Sequence, residues 1–401
     1  MLRIESMKHP STGTPPDHAQ LDPTLRQLLD SIAATCIQCK FCQQQCAFLQ
    51  RYGKPGAIAE NFSFHDPRCQ KMPFECSLCR LCGAVCPVDL QPADMFLQMR
   101  RAMAKCNGAL QRKHQTLLAY ERRGVSRRYS YYALPKHCDT VFFPGCALAG
   151  ASPDAMLQLF HRLGEQIPNL GIVLDCCTKP SHDLGRKDYF AAMFGEMKHF
   201  LAQNQVRRVL VACPSCYRTF SDCGAPLRVE TVYEVMAQGG WSGRQKVAGV
   251  VCVHDPCATR YESQIHRAVR DLVQSTGLRL EKMPHEEGMT VCCGEGGAVG
   301  FVAPEFAKTW AAVRKREANG RRIITYCAGC VHYLGRQTPT SHLLDLLLQP
   351  EATLQGKVKN ARSPFTYWNR LKLKWRLQRT LPAAVRRERT YTAEKERSIS
   401  R

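Results

Sequence analysis

The sequence has no apolar run long enough to cross a bilayer. Its longest, residues 247–253 (VAGVVCV), has the length of a strand, whereas a spanning helix needs about 18 or more. The opening residues MLRIESMKHPSTGTPPDHAQ contain no apolar stretch and no small-residue cleavage site, so no secretory signal is expected and the reading is cytoplasmic. Acids are scarce: 34 Asp and Glu face 56 Lys and Arg, a formal net charge of +22. No zinc-finger spacing, helix-turn-helix pattern or RNA-binding signature accompanies that charge, which argues against a nucleic-acid partner. No G-x-G-x-x-G follows a strand and opens a helix, so neither FAD nor NAD is expected. A hydrophobic content of 44% over 401 residues excludes wholesale disorder and suits two or three domains.

Cysteine, by contrast, is abundant: 23 residues. In a reducing compartment, dense cysteine at regular spacing indicates metal or redox chemistry rather than disulfides.

After a leader over residues 1–24, Leu25, Leu28, Leu29 and Ile32 repeat at helical spacing. Cys36, Cys39, Cys42 and Cys46 follow as C-x2-C-x2-C-x3-C, and the run recurs as Cys76, Cys79, Cys82 and Cys86 before Pro87. This is bacterial ferredoxin spacing. Three thiolates two residues apart can wrap three corners of one cubane [4Fe-4S] cluster, and the fourth leaves the loop to cap the other cluster. The expected sets are Cys36, Cys39, Cys42 and Cys86 for one cubane, and Cys76, Cys79, Cys82 and Cys46 for the second. Zinc is disfavoured, since it takes separate ligand pairs. Ala47 stands where proline usually follows the fourth cysteine, but it is not a ligand position. Phe96, Met99 and Met103 share a helical face after the second run. Residues 25–110 therefore read as an α-helical dicluster ferredoxin domain, followed by a basic linker over 111–136.

The remainder repeats with a period of about 114 residues. Cys146, Cys176, Cys177, Cys213 and Cys216 recur as Cys257, Cys292, Cys293, Cys327 and Cys330. Expected strands precede these sites: VFF before Cys146, IVLD before Cys176, RVLVA before Cys213, VVCV before His254, TV before Cys292 and RIITY before Cys327. Helical stretches such as DAMLQLFHRLG and SQIHRAVRDLVQSTG intervene. The alternation implies two duplicated α/β units, 137–245 and 246–350, with ligands at the carboxyl ends of parallel strands. Gly294, Gly296 and Gly297 would let backbone approach a cluster closely. Five thiols per unit could serve as four ligands plus a redox thiol, or as ligands of an irregular cluster.

These units resemble the cysteine-rich CCG domain, present twice. Ferredoxin runs followed by two such domains resemble the catalytic iron–sulfur subunit of heterodisulfide reductase, and the iron–sulfur subunits of glycolate oxidase and anaerobic glycerol-3-phosphate dehydrogenase. The likeness covers roughly residues 25–350. It implies that each five-cysteine set holds a noncubane [4Fe-4S] cluster and that the paired clusters reduce a disulfide. One set would be Cys146, Cys176, Cys177, Cys213 and Cys216; the other Cys257, Cys292, Cys293, Cys327 and Cys330. All ten cysteines are kept, which favours the catalytic type. One departure is Thr178, where the family has glycine; a β-branched residue does not readily take positive φ. The implied function is an oxidoreductase subunit fed through two cubanes by a flavoprotein or quinol-linked partner. The alternative is a conduit that makes no bond, passing electrons from a flavin dehydrogenase of the glycolate, lactate or glycerol-3-phosphate type towards quinone.

Lys179, His182 and His254 lie beside cysteine sites and could support a thiolate product. Cys69, Cys106, Cys138, Cys223 and Cys252 fit no motif and read as structural. Positive charge concentrates in two segments. Residues 100–136 hold ten Lys/Arg and one acid, and residues 357–401 hold fourteen Lys/Arg and three acids. Four bound clusters would lower the net charge to roughly +12 to +14. In the tail, 351–401, Ser363-Pro364 could start a helix with Trp368, Leu371 and Trp375 on one face, while LKLKWRLQ alternates like a strand. The tail is expected to dock peripherally on the inner membrane surface or on a partner.

Overall fold

The computed structural model describes residues 21–104, 112–241 and 245–390. Most of the leader, Cys106 and the last residues of the tail lie outside the described residues.

The amino-terminal unit is helical. Helices Pro23–Thr35 and Pro92–Met103 pack through Leu25, Leu29, Ile32, Phe96, Met99 and Met103, all fully or nearly buried. Burial of such side chains contributes about 1.5–3 kcal/mol each. Asp22 accepts from the Thr24 amide and Pro23 occupies the first turn, a capping pattern that starts the first helix.

Two sheets follow. In the first, β1 (Tyr131–Leu134), β2 (Thr140–Phe143), β3 (Gly171–Leu174), β4 (Arg208–Val211) and β5 (Arg228–Thr231) are joined by β10 (Val385–Arg387), in the order β10-β1-β3-β2-β4-β5. The strands β3-β2-β4-β5 are parallel, and β1 pairs antiparallel with both β3 and β10. In the second, β6 (Val250–His254), β7 (Arg279–Leu280), β8 (Arg322–Thr325) and β9 (Thr340–His342) run parallel in the order β7-β6-β8-β9. The stretch read as linker thus supplies helix Gln115–Gly124 and β1. The expected TV strand before Cys292 does not form: β7 ends at Leu280, and residues 281–295 leave the sheet.

One hydrophobic core joins the two halves. Val232, Tyr233 and Met236 of helix Val232–Gln238 and Ile265, Val269 and Leu272 of helix Ser263–Gln274 belong to the same buried cluster. A second cluster joins Phe48, Phe96 and Met99 of the helical unit to Val299, Phe306 and Trp310 of the second half.

The tail is a helix, Phe365–Thr380, which settles its two sequence patterns. Each charged or aromatic residue of LKLKWRLQ falls on a helical face instead of alternating. Ser363 and Pro364 do not cap it as expected, since its first turn has no side-chain cap. The helix lies on the first half and buries Arg370, Leu373, Lys374 and Leu377. Among the described residues no helix is long and apolar enough to cross a membrane.

Candidate metal centres

Each ferredoxin run forms a tight loop. Gln38 and Lys40 flank Cys39 with φ of 53° and 72°, and Leu78 and Arg80 flank Cys79 with φ of 53° and 61°. Left-handed non-glycine residues at matched positions carry local strain and turn three thiols inward.

The two runs exchange their fourth cysteines in space. Cys86 lines a cavity with Cys36, Cys39 and Cys42. Cys46 lines another with Cys76, Cys79 and Cys82. Burial, together with Cys36, Cys39 and Cys86, pushes the Cys42 thiol up to about 11. Burial, together with Cys79 and Cys76, raises Cys46 strongly, and burial raises Cys76 to about 12. Such thiols keep their protons unless a cation replaces them.

The second cavity also has Cys292 on its wall, so it abuts the second half. Arg100 fixes this junction. Its Nε donates to Pro73 O at 2.9 Å, its Nη1 to Asp183 O at 2.7 Å and Gly297 O at 2.9 Å, and its Nη2 to Cys76 O at 2.5 Å. Arg260 Nε donates to Cys79 O at 2.8 Å. The glycines act here rather than chiefly at a cluster. A Cβ on Gly296 would sit 2.7 Å from Ser77 O, one on Gly297 2.6 Å from Cys76 O, and one on Gly294 2.7 Å from Ala307 O. Two of them also approach Cys292 Sγ: a Cβ on Gly296 would stand 3.1 Å from it, and the Gly294 amide donates to it at 3.3 Å.

In the first half, β2, β3 and β4 deliver Cys146, Cys176–Cys177 and Cys213 at their carboxyl ends, and Cys213 precedes helix Pro214–Cys223, which carries Cys216. Cys216 and Cys177 stand 3.4 Å apart, sulfur to sulfur. The thiol of Cys146 lies beside Cys176 and Tyr120, which act on it. The Cys176 contact, helped by the charge of Arg370, holds the Cys146 thiol at about 6. In the second half Cys292 contacts Cys257 and Cys293, and Cys330 contacts Cys293 and Cys327. The halves meet at sulfur, because the thiols of Cys213 and Cys327 act on each other. All ten cysteines are therefore brought together in one continuous patch, and the described cysteines are free thiols.

Thr178 is fully buried at φ 53° and ψ 25°, and its Oγ1 lacks a partner. The chain thus imposes on threonine the left-handed conformation that Gly294 adopts freely at φ 106° in the second half.

Sequence reasoning missed three groups. Arg370, on the tail helix, is 4% exposed, and its Nη1 has no hydrogen-bond partner. The groups that act on its charge are Tyr120, Cys146, Cys176 and Tyr129. Glu121 accepts from the Ser181 amide at 2.8 Å, and burial raises its carboxyl to about 7. Glu295 is solvent-exposed, and the nearby thiols of Cys213 and Cys146 raise its carboxyl. It lies over Gly329, where an added Cβ would collide with its carboxylate. Of the groups named from sequence, Lys179 and His182 both bind the carboxylate of Asp183. His254 is fully buried, and burial with the charge of Arg314 lowers it to about 3. Cys138 and Cys252 are buried in the same apolar clusters as members of the sets, and their thiols point to the backbone carbonyls of Thr140 and Arg322. Cys69 lies beside Asp66 and Cys223 beside Asp222.

The donor chemistry fits iron–sulfur groups. Soft thiols converge from distant segments, and a buried guanidinium faces sulfur instead of a carboxylate. An iron–sulfur cage held by thiolates is the soft anion that such a pocket matches. The comparisons agree. Residues 35–91 match a 4Fe-4S dicluster domain, and residues 140–221 and 251–335 match a cysteine-rich domain. The chain is 24% identical to an uncharacterized iron-sulfur protein of Methanocaldococcus jannaschii, over 75% of this chain and 67% of that one. It is 25% identical to one of the subunits of the fumarate reductase (CoM/CoB) of Methanothermobacter marburgensis, over 74% and 66%. It is 21% identical to one of the subunits of the dihydromethanophenazine:CoB–CoM heterodisulfide reductase of Methanosarcina mazei, over 61% and 66%. The chain spans about two thirds of the length of these relatives. Fold and site define an iron–sulfur electron-transfer protein. More particularly, it combines a dicluster domain with cysteine-rich domains and is related to the iron–sulfur subunits of heterodisulfide reductase.

Proposed function

We propose that this chain is the subunit of a redox complex that reduces a disulfide-type substrate between its two five-cysteine sets. The balance is R–S–S–R′ + 2 e− + 2 H+ → R–SH + R′–SH. Cys36, Cys39, Cys42 and Cys86 would hold one cubane, and Cys46, Cys76, Cys79 and Cys82 the other. Cys146, Cys176, Cys177, Cys213 and Cys216 would hold one noncubane cluster. Cys257, Cys292, Cys293, Cys327 and Cys330 would hold the second, the two halves being copies of one unit. When bound, such clusters supply one-electron carriers. The observation that carries the reading is the Cys213–Cys327 contact, which sets the two sets side by side. Cys292 on the wall of the dicluster cavity supports entry of electrons through the second set. Glu295, whose carboxyl is raised by the thiols of Cys213 and Cys146, would hold a proton at its carboxyl oxygen for a departing thiolate. A flavoprotein or quinol-linked partner would supply the electrons.

Anaerobically purified protein is expected to contain about 16 iron per chain. It should reduce an added disulfide with a reduced viologen dye, and added thiol should change its electron paramagnetic resonance (EPR) spectrum. About eight iron per chain, enough for the dicluster domain alone, would overturn the reading.

A second reading, an electron conduit towards a membrane quinone, is favoured by the outer face of the tail helix. Phe365, Trp368 and Trp375 are exposed there, over the half that carries the first set.

A further inference from the structure

His254 ends β6 and is fully buried. Neither of its ring nitrogens has a hydrogen-bond partner. A ligand nitrogen of this ring and the sulfurs of Cys293 and Cys330 all lie within 4.8 Å of one another. Leaving a buried polar atom unpaired is costly, and here both nitrogens of one ring are unpaired. The first half has no counterpart. The 111-residue offset between Cys146 and Cys257 places Phe143 opposite His254, and Phe143 packs on Phe220 with ring centroids 5.2 Å apart.

We propose that His254 is a nitrogen ligand to iron held by Cys293 and Cys330, so that the second set is a mixed histidine–cysteine site and the first is all sulfur. The inference rests on the iron–sulfur reading above. The imidazole adds a neutral nitrogen donor beside the thiolates of this set, so the two sets are inequivalent.

The test uses the full anaerobic holoprotein, grown with 15N-histidine and examined by pulsed EPR, which reads nitrogen coupling directly. A strongly coupled histidine nitrogen that changes with the label is expected. It should be lost in His254→Phe, which copies the first half. With about 16 iron per chain, a spectrum showing only weakly coupled nitrogen overturns the ligand and leaves the iron–sulfur reading standing. Zinc in place of iron at this set overturns both. The labelled native protein decides the point even if the variant does not fold.

Discussion

Cys213 and Cys327 come from separate sheets, yet their thiols lie close enough to shift each other's protonation. That contact joins two lines of sulfur into one. It runs from Cys257 and Cys292, beside the dicluster cavity, through Cys293, Cys330 and Cys327 to Cys213, Cys216 and Cys177. The first set is the far end of that line and the second set is the one docked on the dicluster domain.

Arg100 is the bolt of that docking. Its fully buried guanidinium binds four backbone carbonyls from three stretches of chain. Arg100→Met would leave Cys76 O, Asp183 O and Gly297 O without this donor, at about 1–3 kcal/mol each, while Pro73 O keeps the Cys76 amide. The variant is expected to melt earlier, and limited proteolysis should release the helical unit. Unchanged melting and proteolysis would show that the junction is held by its apolar contacts alone.

Arg370 makes the tail part of the first set. A buried cation without a carboxylate partner is costly, and the thiols of Cys146 and Cys176 are the charge-bearing groups it faces besides two tyrosines. Arg370→Gln is expected to shift the reduction potential of one EPR signal negative at unchanged iron content, while Arg370→Lys restores most of it. Equal potentials in all three proteins would remove the guanidinium from the site.

Asp345 supplies a pH dependence remote from the thiols. Burial raises its carboxyl to about 6 from 3.8, and Asn360 Nδ2 donates to it at 3.3 Å. Because the folded value is the higher, the folded protein binds the extra proton between about pH 4 and 6, and stability falls as pH rises through that window. Two pH units of difference correspond to roughly 3 kcal/mol, an order-of-magnitude figure. Asp345→Asn should therefore melt higher than the native protein at pH 7.5, with the gain shrinking towards pH 5. A gain that does not depend on pH would assign the effect to packing.

Local spacing made the ferredoxin loops legible, because three cysteines two residues apart leave the chain few ways to present three thiols. The strand before Cys213 was legible because RVLVA is continuously apolar after its arginine, as a strand covered on both faces must be. TV before Cys292 misled: two β-prone residues do not make a strand when the segment is drawn off towards the helical unit, whose core takes up Val291, and Arg260 ties Thr290 O, at 2.7 Å, to Cys79 O, at 2.8 Å. Thr178 shows tertiary packing overriding local preference. Arg370 and the Cys213–Cys327 contact had no local signal at all, since each depends on how separately folded segments are docked.

The outer face of the tail helix gives the last expectation. Phe365, Trp368, Lys372, Trp375 and Arg379 recur at intervals of three and four, opposite the buried Arg370, Leu373, Lys374 and Leu377. The expected stripe of Trp368, Leu371 and Trp375 is thus rotated outward, and Leu371 lies at its edge, half-buried. The exposed stripe is about 21 Å long at 1.5 Å per residue, and no acid occurs from 352 to 387. Aromatic and cationic residues on one exposed face suit the headgroup region of an anionic bilayer. The protein is expected to sediment with vesicles containing phosphatidylglycerol and not with pure phosphatidylcholine, and binding should weaken as salt is raised. Replacing Trp368 and Trp375 together by alanine should abolish sedimentation without changing iron content or melting, because both side chains point away from the fold. Native protein that ignores both kinds of vesicle would make the stripe a docking face for a protein partner, and the quinone-directed reading would lose its support.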